Sequence, residues 1–256
     1  MTRIDRRKNR DLVIRAGYGS AVLVAAYLLK LFYRQADAGD LAWIIAPTAW
    51  LTETLSDLSF TREAGFGWQD LHHQVVIAPA CAGVNFLIIA FCMASFLVLR
   101  STPVSGTSLT AGITAAALSS YLLTITANTA RIIVSTILYE TVVYLPWLTP
   151  GMLHRLSGTA IFYGALCLYS RIWCVALAER LGEDGDPAVR PGGQSLRSSP
   201  LLWYLAVSIG IPITNHAFTN NPELFVRHAV SVIAVTVAIN LIVSRGLRIF
   251  NHKRNI

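Results

Sequence analysis

The chain is short of charge. Only 14% of its 256 residues are Asp, Glu, Lys or Arg, where a soluble domain carries about a quarter. With 54% apolar residues and a mean hydropathy of +0.52, a polytopic membrane protein is the expected class. Acidic residues are scarcer than basic ones, 14 against 21, which leaves a net charge of +7. The basic residues fall in short clusters between apolar segments, as membrane orientation requires, so membrane lipid and not nucleic acid is the expected partner. No repeat at a fixed period, zinc-ligand spacing, Walker loop or dinucleotide fingerprint is present, and no metal or cofactor is called for. GYGSA at residues 17–21 lies in an apolar stretch and reads as close helix packing. The opening MTRIDRRKNRDLVIR is polar, and the long apolar stretch after it reads as a retained anchor, not a cleavable signal.

What is present is a series of apolar runs near the ~20 residues a spanning helix needs. Six are expected to cross: 14–33, 83–99, 108–127, 155–178, 201–218 and 224–244. Residues 38–58 hold the short run LAWIIAPTAWL with Pro47, followed by Glu53 and Asp57; they read as an interfacial or re-entrant helix. The expected fold is thus an all-α polytopic bundle. The charges agree. With Arg3, Arg6, Arg7, Lys8 and Arg10 cytoplasmic, Arg100, Arg171, Arg180, Arg190, Arg197 and the basic tail also fall inside. Asp37, Asp40, Glu53, Asp57, Glu63, Asp70, Glu140 and Glu223 fall outside, which satisfies the positive-inside rule with both termini cytoplasmic in the plasma (inner) membrane. Residues 60–78, with Gly65, Gly67 and the β-branched run Val75–Ile77, suggest a small hairpin at the outer face. The expected divisions are a basic terminus (1–13), a membrane core (14–178), a Gly/Pro/Ser-rich linker (179–200) and a C-terminal membrane hairpin with a basic tail (201–256).

This topology brings Cys81, Arg131 and His154 to one outer depth although they are far apart in sequence. A thiolate can attack a peptide carbonyl, an imidazole can move the protons, and a guanidinium can hold the oxyanion or the substrate backbone. Cys81 opens the 83–99 run, where a helix N-terminus would favour a thiolate, and Gly83 would let a peptide approach. Each residue has a plainer reading. Cys81 could be a small packing residue, Arg131 a snorkelling interface arginine, and His154 an interface residue. His72, His73, His216 and His228 are outer-facing too, and position alone does not choose among the five. Cys92, Cys167 and Cys174 lie too deep to pair with Cys81, so a lone free thiol facing an oxidising space needs an explanation. Chemistry therefore competes with a small transporter, in which Arg131 reads an anion, and with a non-catalytic assembly factor.

APACAGVNF (78–86), NTARI (128–132) and HRLSG (154–158), in that order at the outer ends of three successive spans, resemble the exosortase/archaeosortase family. The exosortase K type is among the subgroups the chain could fall in. The family pattern of Cys-x-Gly, Asn-x-x-Arg and His-x-x-x-Gly maps onto Cys81 with Gly83, Asn128 with Arg131, and His154 with Gly158. APTAWL (46–51) resembles the family's segment upstream of the cysteine, and the resemblance covers about residues 14–178. One departure is Ala82, where many members have Ser. The resemblance implies a cysteine peptidase or transpeptidase with Cys81, Arg131 and His154 catalytic and Gly83, Asn128 and Gly158 supporting. It also implies the partners: secreted proteins with a C-terminal sorting tail of short motif, apolar helix and basic end, and an acceptor of unspecified chemistry. The hairpin 201–244, with Asn215, His216 and the NPE at 221–223, lies outside the resemblance and reads as packing helices.

Overall fold

A computed structural model describes residues 3–63, 67–72, 75–102, 104–141, 149–181, 200–210, 213 and 222–254. The helices are α1 (Arg3–Gln35), α2 (Ala42–Leu55), α3 (Val84–Ser101), α4 (Gly106–Thr141), α5 (Pro150–Leu181), α6 (Pro200–Ser208) and α7 (Pro222–Arg254). Strands β1 (Thr61–Glu63), β2 (Gly67–Asp70) and β3 (Val75–Ile77) lie between α2 and α3.

Among the described residues, five helical segments are long and apolar enough to cross a membrane: Lys8–Gln35, Pro79–Ser101, Gly106–Thr141, Pro150–Glu179 and Phe225–Ile242. Their outward faces are apolar as well. Leu23, Val24, Tyr27 and Leu28 of α1, Leu118 and Leu122 of α4, Leu168 and Ile172 of α5, and Ile233, Leu241 and Ile242 of α7 are all exposed. Contiguous apolar faces of this extent are not left to water in a soluble protein, and the architecture is that of an all-α membrane-associated bundle. The expected span 201–218 is represented by α6 alone, because 211–212 and 214–220 lie outside the described residues. So do 182–199 of the expected linker, together with Asn215 and His216.

The bundle is organised around α3, in which thirteen of eighteen residues are buried. Cross-helix bonds give the helix directions. Near the start of α1, Arg15 Nη2 donates to the Thr102 carbonyl at 3.0 Å and Tyr18 Oη lies 2.9 Å from Thr110 Oγ1. Near its end, Lys30 Nζ donates to Asn85 Oδ1 at 2.7 Å and Tyr33 Oη to the Pro79 carbonyl at 3.3 Å. So α1 and α4 run one way and α3 the other, with α5 returning beside it through the contact of Tyr169 with Ser119 and Ser120. Helices α3 and α4 approach closely at Gly112, where a Cβ would come 2.5 Å from Val98 Cγ1.

Helix α2 has 14 residues, about 21 Å at 1.5 Å per residue, short of the ~30 Å hydrocarbon core. It packs flank-on against α4: Tyr121 Oη donates to the Trp43 carbonyl at 2.6 Å, and the two rings stack at 5.9 Å. The expected two-stranded hairpin is in fact a three-stranded antiparallel sheet in the order β1-β2-β3. Trp68 pairs with both Arg62 and Ile77, so the Val75–Ile77 run is the far edge of a meander. Gly67 (φ +109°) permits the tight approach, since a Cβ there would lie 2.7 Å from the Ile77 carbonyl oxygen. The sheet is tied to the region after α2, where Asp70 Oδ2 accepts from the Ser59 backbone N–H at 2.7 Å. Its last strand runs into the turn that carries Cys81.

Candidate functional site

Cys81 closes a single 3-10 turn, Pro79–Cys81, whose Pro79 presets the first φ. The backbone N–H of Cys81 donates to the Ala78 carbonyl at 2.8 Å. The turn is held from two sides, by Tyr33 Oη on the Pro79 carbonyl and by Asn128 Nδ2 on the Cys81 carbonyl at 2.8 Å. Helix α3 starts only at Val84, with Gly83 as its N-cap. Cys81 therefore does not open a helix, which corrects the sequence expectation. It stands two residues before the cap.

The reason for Gly83 also changes. Its φ is +79°, a left-handed conformation that glycine adopts without penalty. A Cβ there would meet Thr124 Cγ2 at 3.1 Å and Asn128 Cγ at 3.6 Å. The glycine lets the chain turn into α3 while pressed against α4; substrate clearance is not what requires it.

Asn128 and Arg131 lie within α4, which continues to Thr141 and carries the arginine well inside a helix. Asn128 is fully buried, and its Oδ1 has no hydrogen-bond partner. Arg131 is 9% exposed, its Nε is also without a partner, and its guanidinium carbon lies 5.4 Å from the Phe162 ring centroid. A cation over an aromatic face gains about 0.5–2 kcal/mol, but no carboxylate among the described residues pairs with it. Gly158 on α5 makes room for the side chain: a Cβ there would come 3.2 Å from Arg131 Cδ. His154, one turn earlier on α5, is half-buried and lies within electrostatic reach of Arg131.

These placements converge on one cavity of about 510 Å³, lined by Cys81, Arg131 and His154 together with Val75–Ile77, Ser135, Tyr139 and Glu140. The volume is within the ordinary range for ligand sites, about 300–1,000 Å³. All four cysteines are free, and Cys92 is buried. Of the other histidines, His228 is drawn to the Ser208 carbonyl at 3.3 Å, while His73 and His216 lie outside the described residues. Among the described residues, no three of His, Cys, Asp or Glu gather as metal ligands.

Sequence reasoning missed Tyr33, Phe162 and Tyr204, which stand around Arg131. Tyr33 follows Lys30 at the end of an apolar run, the usual mark of an interfacial aromatic, so nothing in its own segment singles it out. Phe162 and Tyr204 are ordinary apolar-segment aromatics until packing aims them. No family model, curated protein or solved structure matches the chain.

Proposed function

We propose that the chain is an integral-membrane cysteine peptidase or transpeptidase acting on C-terminal tails of secreted proteins at the outer face of the plasma membrane, both of its termini being cytoplasmic. What supports the reading is the single cavity that Cys81, Arg131 and His154 share although they come from three different elements. The motif resemblance supplies the substrate class.

In the chemistry proposed, the His154 imidazole takes the Cys81 proton, and the thiolate sulfur attacks the scissile carbonyl carbon. The carbonyl oxygen becomes an oxyanion beside the Arg131 guanidinium, which is in no ion pair among the described residues. Collapse breaks the C–N bond, and the imidazolium passes its proton to the leaving amine, which departs with the tail. The thioester is then attacked by water or an acceptor nucleophile, whose proton goes to the imidazole. Proton return to the departing sulfur regenerates the thiol. Asn128, fully buried, holds the Cys81 carbonyl through Nδ2 and so positions the turn that carries the thiol. Val75–Ile77 forms one wall of the cavity, and edge-strand pairing would suit an extended peptide.

The test is co-expression with a secreted reporter ending in a tail of short motif, apolar helix and basic cluster, followed by intact mass of the product. Wild-type protein is expected to shorten the reporter at the motif, and Cys81→Ala is expected to leave it whole. Equal shortening by Cys81→Ala rejects the reading. A thiol reagent that cannot cross membranes should label Cys81 in intact cells; labelling that requires lysis reverses the orientation.

A further inference from the structure

A second cavity, of about 160 Å³, has Arg131 in its wall but neither Cys81 nor His154. Its polar lining is Tyr33, Asn85, Arg131, Tyr204 and Ser208, with no carboxylate. Arg131, 9% exposed and with Nε unpartnered, thus stands between two compartments. A second cation adjoins the smaller one: Lys30 Nζ donates to Asn85 Oδ1 at 2.7 Å and lies 5.2 Å from the Tyr33 ring centroid. Neither Lys30 nor Arg131 is paired with a carboxylate among the described residues.

Arg131 is buried in the wall of this compartment, and Lys30 stands at its exposed edge on Asn85; a buried guanidinium outside any ion pair is costly in a low-dielectric bundle unless an anion completes it. The volume suits one compact group and not a peptide. Lys30, with Arg34 a turn later, breaks the charge pattern, since the orientation rule leaves this end of α1 poor in lysine and arginine. Directly along the helix from it, Leu23 and Tyr27 are exposed on the same face, a surface on which acyl chains can lie.

We propose that this compartment binds a phosphate oxyanion, from a lipid headgroup or free in solution, between Lys30 and Arg131. The inference goes beyond the peptidase reading and stands without it, because it rests on the two unpaired cations.

The test is native mass spectrometry of the full chain, delipidated in a phosphate-free detergent. It is titrated with phosphatidylglycerol, with diacylglycerol of the same chains, and separately with inorganic phosphate. The expected result is retention of one phosphatidylglycerol but not diacylglycerol. Lys30→Met should weaken this about tenfold, the scale of one charge-assisted contact, and Lys30→Arg should restore it. Binding of inorganic phosphate with the same dependence on Lys30, without lipid retention, supports the site and assigns it a soluble anion. Diacylglycerol retained as well as phosphatidylglycerol, or binding of both phosphates unchanged in Lys30→Met, overturns it. An unaltered size-exclusion profile and melting temperature show that each variant is folded. Because the readout is binding and Lys30 does not line the Cys81 cavity, failure here leaves the peptidase reading untouched, and the reverse also holds.

Discussion

Each end of the helix bundle holds a cavity of similar size, about 510 Å³ around Cys81 and about 560 Å³ between α3, α4 and α5 at the opposite end. Their linings differ in kind. At the far end Tyr169 Oη lies 2.7 Å from Ser119 Oγ and 2.9 Å from Ser120 Oγ, and Ser119 also donates to the Ala115 carbonyl at 2.6 Å. Those hydroxyls satisfy one another, and no charged residue lines the space. At the Cys81 end Arg131 Nε and Asn128 Oδ1 are buried without partners, and beyond the far-end cavity, beside Thr102, Arg15 Nη1 and Ser101 Oγ are too. A buried unsatisfied group costs about 1–3 kcal/mol, more if charged. Volume therefore does not distinguish the two ends. What differs is the lining: a thiol, an imidazole, a guanidinium and a carboxylate surround the one cavity, and hydroxyls and apolar groups the other.

The largest expected effect is at the sulfur. Cys81→Ser should lower tail processing by on the order of a thousandfold or more, read as the ratio of cut to uncut reporter, while the far-end hydroxyl cluster keeps the bundle's melting temperature unchanged. Next is Arg131→Lys, which keeps the charge but loses the planar fork. Processing should fall on the order of a hundredfold, with the reporter still co-purifying; a variant of wild-type activity would show that the open end does not depend on the guanidinium. Gly83→Ala, also at the Cys81 end, strains a left-handed position and pushes on α4. We expect a loss of about 1–3 kcal/mol in stability and a roughly tenfold loss in processing as the Asn128 contact shifts, measured by thermal melts in detergent and the same reporter. The smallest effect is at the closed end. Tyr169→Phe should cost about 1 kcal/mol in stability and leave processing as it was; a large loss of processing would dissolve the contrast between the two ends.

Much of the fold was legible because bilayer thickness imposes a length that apolar runs reveal directly. The runs that became α1, α3, α4, α5 and α7 are visible as such, and α2 stood out as too short. The boundaries were not. The expected span 108–127 belongs to a helix that continues to Thr141, since its later residues IIVSTILY support a helix as well as they support an interface. The Val75–Ile77 strand was legible from its β-branched run, but its position at the edge of a three-stranded meander depends on pairing through Trp68. At the site, Cys81, Arg131 and His154 were readable from motif order and depth. Tyr33, Phe162 and Tyr204 were not, because an aromatic in an apolar segment carries no local sign of what it faces.

The amino-acid order alone determined that several long segments are apolar enough to enter a membrane and that a thiol, a guanidinium and an imidazole stand at comparable positions along them, since both follow from hydropathy and residue count. Only the tertiary structure decided that Gly83 serves backbone geometry, that Gly158 clears space for Arg131, and that the guanidinium stands between two compartments. Those facts depend on which helix faces meet, and that is set by packing between residues far apart in the chain.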